Sequence, residues 1–310
     1  MNPLVSVIYV NYNTSGLLLQ SIGSLIVQCR EIPFEIIIID NASREEDKLN
    51  LQKGVSDLQH DHIQIQFSAV NLGFSKGNNL GAKDAKGRYL FFLNPDTVVL
   101  NDVIKIFSRY LDSTDPATAA CGGNLLKEDG SANYSYGNFP GMLYEVCSIG
   151  FGLRYLFNEY YEKHVFIGRT VEGTEPLKAP YITGADIFIR AEIFHLLNGF
   201  DENFFMYYEE TDLFKRLERS GYQSYILPEA RIIHFEGGSV GKTSPEIFNY
   251  NKFEMTLRSK LYYFKKWFPP QTTVGLKIVV LFQILVQYAR GNNGSNFKKL
   301  FSIYRQNLQV

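Results

Sequence analysis

Cysteine is scarce in this chain: Cys29, Cys121 and Cys147 are the only three among 310 residues, odd in number and far apart. They match neither a disulfide framework nor the paired spacing of a zinc site, so a reducing, cytoplasmic setting is expected. Long apolar runs are also missing. The most hydrophobic stretch, Val274 to Ala289, is interrupted by Lys277 and two glutamines and falls short of the ~20 apolar residues that a spanning helix needs. A strand pattern begins by Leu4, which leaves no room for a signal peptide. No Gly-x-Gly-x-x-Gly follows the first strand, against a dinucleotide oxidoreductase. Gly237 to Thr243 imitates a phosphate loop, but Glu236 stands where the first glycine belongs and puts the wrong charge against phosphates. His60-Asp61-His62 is explained more cheaply by strand alternation or a surface turn than by a metal.

What is present is an ordinary globular balance, 45% hydrophobic and 20% charged, with 20 tyrosines and 24 phenylalanines that imply apolar surfaces beyond a minimal core. The net charge of −1 hides an asymmetry. From Lys252 to Arg305 there are ten basic residues and one acid, Glu254, leaving 21 basic and 31 acidic residues elsewhere. The tail is thus about +9 and the body −10. Phe253, Tyr262, Tyr263, Phe264, Trp267 and Phe268 interleave with the basic tail. Basic residues among aromatics fit nucleic acid or an anionic membrane surface. The acidic body and the lack of a base-reading motif count against nucleic acid.

Apolar strands alternate with helices over the first hundred residues, predicting a doubly wound, mostly parallel α/β sheet. Strands are expected at Val5 to Val10, Ile36 to Ile39, Ile63 to Phe67 and Tyr89 to Leu93. Each ends in polar residues, Asn11, Asp40, Asn71 and Asp96, along one edge. In open α/β sheets ligands bind at that edge. Asn94-Pro95-Asp96 is the most telling stop, because proline ends the ladder and leaves a carboxylate just beyond it. Such a carboxylate can hold a divalent cation, and the cation a diphosphate. The alternative is that Asp96 caps the helix beginning near Asn101. Further strands are expected at Tyr181 to Arg190, Tyr222 to Leu227 and Arg231 to Phe235, with a helix from Glu209 to about Ser220. A helical tail follows Ser244. Two regions result, 1–243 and a C-terminal helical extension, 244–310. The tail helix suits a membrane interface, apolar face down. A helix packed on the domain, or in a homodimer contact, is the alternative.

These segments, over about residues 4 to 240, resemble the family 2 glycosyltransferases of GT-A fold and, within them, the bacterial rhamnosyltransferase-like branch. The resemblance rests on motifs in order: Val10-Asn11-Tyr12-Asn13, Asp40-Asn41-Ala42-Ser43, Asn71-Leu72-Gly73-Phe74 with Gly77-Asn78-Asn79, Asn94-Pro95-Asp96-Thr97, Gly184-Ala185, Gly199-Phe200-Asp201-Glu202, Glu209-Glu210-Thr211-Asp212-Leu213, and His234 to Ser239. It implies a nucleotide-sugar site formed by Asn11, Asn13, Asp40, Asn41, Asn71, Gly73, Asn78, Asn94, Asp96 and Gly184, with Asp40 reading the base. A carboxylate can accept from the imide N–H of uracil or thymine. For Asp40 alone, an Asx turn is the alternative.

The resemblance also implies a metal. Asp96 matches the last position of the family's Asp-x-Asp motif, with Asn94 replacing the first acid, and His234 is the second implied ligand. Mg²⁺ is satisfied by one or two protein carboxylates, whereas an imidazole tilts the choice toward Mn²⁺. The usual Glu-Asp-x-Asp-Leu of the family reads Glu209-Glu210-Thr211-Asp212-Leu213 here. Glu210 therefore ranks first as base, Glu209 second, and Asp212 takes a structural or acceptor-orienting role. Carboxylates at a helix start are also favoured electrostatically, which is the alternative for this cluster. The implied activity is inverting transfer from dTDP-rhamnose, or next a UDP-sugar, to a glycan or lipid-linked oligosaccharide for surface polysaccharide. The implied location is the inner face of the bacterial inner membrane. A sugar nucleotidyltransferase and a non-catalytic sugar-binding module are the rivals.

Overall fold

A computed structural model of the chain describes residues 3–58, 60–149, 152–235, 248–289 and 297–309. Glu236 to Ser239, the phosphate-loop imitation and the 243/244 boundary lie outside these residues. The chain forms two compact units. The first comprises Met1–Gly137, Gly168–Asn203 and Glu209–Gly241. The second gathers Asn138–Ile167 and Phe204–Tyr208 with the C-terminal helices, so it draws on more of the chain than 244–310.

In the first unit, β1 (Val5–Asn11), α1 (Ser15–Gln28), β2 (Phe34–Asp40), α2 (Glu45–Asp57), β3 (Ile63–Phe67), α3 (Gly73–Asp84) and β4 (Tyr89–Leu93) alternate as expected. β2 carries four consecutive isoleucines, all with no exposed surface, because helices cover both faces of a parallel sheet. Each such side chain contributes roughly 1.5–3 kcal/mol by leaving water. Then come β5 (Thr97–Val99), α4 (Val103–Ser113), β6 (Thr118–Leu126) and β7 (Tyr136–Gly137). Next are α5 (Met142–Cys147) and α6 (Asn158–His164) of the second unit, then β8 (Leu177–Lys178), β9 (Tyr181–Ile182), β10 (Asp186–Arg190), α7 (Ala191–Leu196), α8 (Glu209–Arg219) and β11 (Gln223–His234).

The main sheet runs β3-β2-β1-β4-β10-β6-β11-β5, with β8 paired to β11. β1, β2, β3 and β4 are mutually parallel, and β10 is antiparallel to both β4 and β6. The carboxyl ends of the four parallel strands share one edge, where Asn11 lies in register with Asp40. Because β10 runs the other way, its first residue, Asp186, arrives at that edge opposite Leu93.

Three local expectations are corrected. Tyr181 to Arg190 is not one strand: it breaks at 183–185, and its first part pairs separately with β7. The strands expected at 222–227 and 231–235 are one strand, β11, with a register shift between Leu227 and Arg231 that absorbs the extra residues. Asp96 does not cap the following helix. That cap is Asp102, whose side chain accepts from the Lys105 N–H at 3.0 Å.

The second unit holds α9 (Tyr250–Trp267), α10 (Pro270–Ala289) and α11 (Phe297–Gln306) together with α5 and α6. Its core packs Phe204, Leu257, Leu261, Phe264, Leu276, Val280, Ile284 and Leu300. Glu145, fully buried, is paired with Lys260 at 2.7 Å. Removing one partner of such a buried pair is strongly destabilising, because it leaves the other charge uncompensated.

Candidate active site

The edge of the parallel strands is a polar cluster sunk into the fold. Asn11 Nδ2 donates to Asp40 Oδ2 (2.9 Å), Ser43 Oγ (3.2 Å) and Asp47 Oδ2 (2.8 Å), while its Oδ1 accepts from the N–H and hydroxyl of Thr14. Asn13 sits at φ 57°, a left-handed value that asparagine tolerates better than most residues. Its N–H donates to Ser43 Oγ and its Oδ1 accepts from the Arg44 N–H. These bonds lock the end of β1 to the end of β2.

Asp40 is fully buried at the centre. Its Oδ1 accepts from the Ser43 N–H at 3.1 Å, so the Asx bond weighed as its alternative is present. Each carboxylate oxygen has further lone-pair capacity, and the two roles are compatible. Asn41 extends the cluster, donating to Asn71 Oδ1 (3.0 Å) and Gly73 O (3.2 Å) and accepting from the Leu72 N–H. Gly73 begins α3 at φ 77°, where a side chain would be strained. Asn78 donates one turn back, to Phe74 O.

Asp96 and His234, distant in sequence, meet at 3.4 Å between Oδ1 and Nε2. Pairing of β5 with β11 brings them together: Thr97 is in register with His234, and the Phe235 N–H donates to Asp96 O. Asp96 is 5% exposed, and its Oδ1 has no hydrogen-bond partner. A buried carboxylate oxygen left without a donor is costly unless something positive meets it. A carboxylate and an imidazole together suit a divalent cation whose remaining positions are filled by phosphate oxygens and water. Among the described residues there is no group of three or more His, Cys, Asp or Glu able to enclose a metal, so a cation here would take the rest of its shell from other ligands. The His60–His62 pair is different, because His60 stacks on Phe34 at 5.5 Å.

The acidic helix adds three more carboxylates. Glu209 and Glu210 open α8, each with an Oε2 that is buried and lacks a hydrogen-bond partner. Burial, and then the neighbouring Glu210 charge, hold the Glu209 carboxyl well above the usual range. Burial pushes Glu210 up to about 7, opposed by the N–H groups of the helix start. Burial and mutual repulsion therefore favour the protonated form in both carboxyls of the pair. Asp212 is fully buried and ion-paired to Arg216 at 2.8 Å. That guanidinium also donates to Leu197 O (2.5 Å) and Gly199 O (2.8 Å), which ties α8 to the loop at Gly199-Phe200-Asp201-Glu202.

A scan against family models matches the description "Glycosyl transferase family 2" over residues 6–194. The chain belongs to family 2 of the glycosyl transferases. The dTDP-rhamnosyl transferase RfbF of Shigella flexneri is 23% identical over 256 residues, covering 81% of this chain and 74% of that protein. The N-acetylglucosaminyl-diphospho-decaprenol L-rhamnosyltransferase of Mycobacterium tuberculosis (strain CDC 1551 / Oshkosh) is 25% identical over 260 residues, covering 78% of this chain and 79% of that protein. Among solved structures, GalNAc-T7 with UDP, GalNAc and Mn²⁺ superposes with a TM-score of 0.63 at 16% identity, covering 98% of this chain and 54% of that one. The fold is thus the GT-A fold, and the protein is a glycosyl transferase.

Several residues not among the expected site residues take part in this polar network, Asn79 having been noted only as part of a motif. Asp47 looks like an ordinary helix-start acid, yet it reaches back to Asn11 and to the N–H and hydroxyl of Ser15. Asn79 spans 121 residues to hold Phe200 by its N–H and carbonyl. Asp186 is fully buried and accepts from the Gly123 N–H at 2.5 Å where β6 parts from β10, its pairing ending at Cys121. Burial drives the Asp186 carboxyl well above its usual range. A polar residue after Gly184-Ala185 in an apolar strand was the one signal that pointed to it. No described helix is long and apolar enough to cross a membrane.

Proposed function

We propose that this transferase is metal-dependent and inverting, that Asp96 and His234 hold Mn²⁺ or Mg²⁺, and that Glu210 is the general base. The supporting observation is the Asp96 oxygen, buried and undonated, 3.4 Å from an imidazole at the sheet edge where nucleotides bind. When bound, the cation would neutralise charge on the departing nucleoside diphosphate. Asp40, Asn41, Asn71 and Gly73 would position the nucleotide, with the imide N–H of a thymine or uracil offered to Asp40. Glu210, ionised above about pH 7, takes the proton of the acceptor hydroxyl as that oxygen attacks the anomeric carbon. A single displacement inverts the configuration. Asp212, committed to Arg216, acts by orienting α8.

The relatives named for rhamnosyl transfer make dTDP-rhamnose the leading donor and UDP-sugars the next. The decaprenol-linked acceptor in one of those names makes a lipid-linked oligosaccharide the leading acceptor, met at the inner face of the membrane. A thermal-shift screen of nucleotide-sugars with Mn²⁺ should show dTDP-rhamnose giving the largest stabilisation. Transfer should then fall away in Glu210→Gln while donor binding persists. Donor binding without turnover on any acceptor would instead leave a sugar-binding module.

A further inference from the structure

α10 buries one face in the helical core through Leu276, Val280 and Ile284. Its opposite face carries Val274, Ile278, Phe282, Leu285 and Tyr288, spaced three or four residues apart and between 42 and 64% exposed. No exposed residue of α10 is charged. Two polar residues that interrupt this segment in the sequence are turned to partners within the second unit. Lys277 Nζ donates to Leu308 O at 2.5 Å and Gln283 Nε2 to Glu145 O at 2.8 Å. The outward stripe from Val274 to Tyr288 is therefore built of apolar residues. It continues into α11 through aromatic contacts, Tyr288 to Phe297 at 5.2 Å and Phe297 to Phe301 at 5.7 Å. There, a surface cleft of about 480 Å³ lined by Phe297 and Phe301 is flanked by Lys298 and Arg305.

An apolar helical face beside cations has the two features that hold a protein on an anionic bilayer. Buried apolar area supplies the larger part of the attraction, and each nearby cation adds to it at an anionic surface. A second copy packed stripe to stripe would bring like cations together beside the seam, whereas an anionic bilayer meets both the stripe and the cations. We propose that this face of α10, continued by the aromatic and basic side of α11, docks on an anionic lipid bilayer. The proposal deepens the reading of a lipid-linked acceptor and rests on it for its purpose.

The test is flotation of the full chain with vesicles of phosphatidylglycerol and phosphatidylethanolamine, and with phosphatidylcholine alone. The wild type should float with the anionic vesicles and less in high salt. The double variant Ile278→Glu with Leu285→Glu should float at least about tenfold less, with unchanged Tm and unchanged transfer to a soluble acceptor analogue. Lys298→Glu with Arg305→Glu should abolish the preference for anionic over neutral vesicles. The proposal is overturned if wild type stays in the soluble fraction with both vesicles, or if the Ile278/Leu285 variant floats like wild type. It is equally overturned if that variant changes only a monomer–dimer equilibrium in size-exclusion chromatography. Failure of the enzymatic reading would appear separately, as absent transfer to the soluble analogue.

Discussion

The two units invert the usual inside and outside of a protein in opposite senses. The first unit puts acids where apolar groups belong: Asp40, Asp96, Asp186, Glu209 and Asp212 are all buried. The second puts apolar groups where charges belong, along the outward face of α10. Both departures cost stability, and proteins tolerate such departures where function requires them. Buried acids gain strong, orientable fields at low dielectric, which suits a site that must bind diphosphate and remove a proton. Exposed apolar residues gain nothing from water and need another surface.

The largest expected effect lies in the first unit. Asp96→Ala should lower kcat by about a thousandfold or more, on the scale of losing one charge-stabilising group, while Tm stays near wild type. Wild-type turnover in this variant would show that the buried acid serves no reaction. Glu210→Gln should lower kcat by about 10²–10⁴. In the wild type, kcat should fall as pH drops below about 7, because protonated Glu210 cannot accept a proton. An acidic limb that survives in Glu210→Gln would assign the base elsewhere.

Within the second unit the contrast between faces can be sharpened by stability. Leu261→Ala, in its core, should cost about 2–5 kcal/mol by denaturant titration. Ile278→Glu, on the outward face, should change stability by no more than about 0.5 kcal/mol. Equal losses would mean that the outward face of α10 is not a surface at all.

The smallest effect concerns Asp186. Its folded pKa is raised above the unfolded value, so its contribution is full below the unfolded pKa of about 4 and declines as pH rises beyond it. Asp186→Asn keeps an acceptor for the Gly123 N–H without a charge to bury. Its Tm should exceed that of wild type by a few degrees at pH 8 and converge with it near pH 4. A pH-independent difference would show that the carboxyl does not titrate with unfolding.

The first four strands and their helices were legible because each is a short apolar run bounded by polar stops, as in Ile36 to Ile39 followed by Asp40. β5 and β6 were not. Thr97–Val99 is only three residues long, and β6 includes Gly122 and Gly123, whose lack of side chains erases the apolar signal. Asp40 and Asp96 stood out as polar residues at strand ends and Glu210 in an acidic cluster at a helix start, whereas His234 entered only through the family resemblance. Asp47, Asn79 and Asp186 did not stand out, because each looks ordinary in its local segment and acquires meaning only from partners at least 32 residues away.

Local patterning by itself determined the alternating α/β order, the placement of polar residues at strand ends and the basic, helical tail, since periodicity and turn chemistry act over a few residues. Only the tertiary structure decided that Asp96 meets His234, that Asp186 bonds the backbone of β6, and that Lys277 and Gln283 turn to partners inside the second unit, away from the apolar stripe of α10. Those outcomes depend on sheet register and helix rotation, which are set by the packing of segments far apart in the chain.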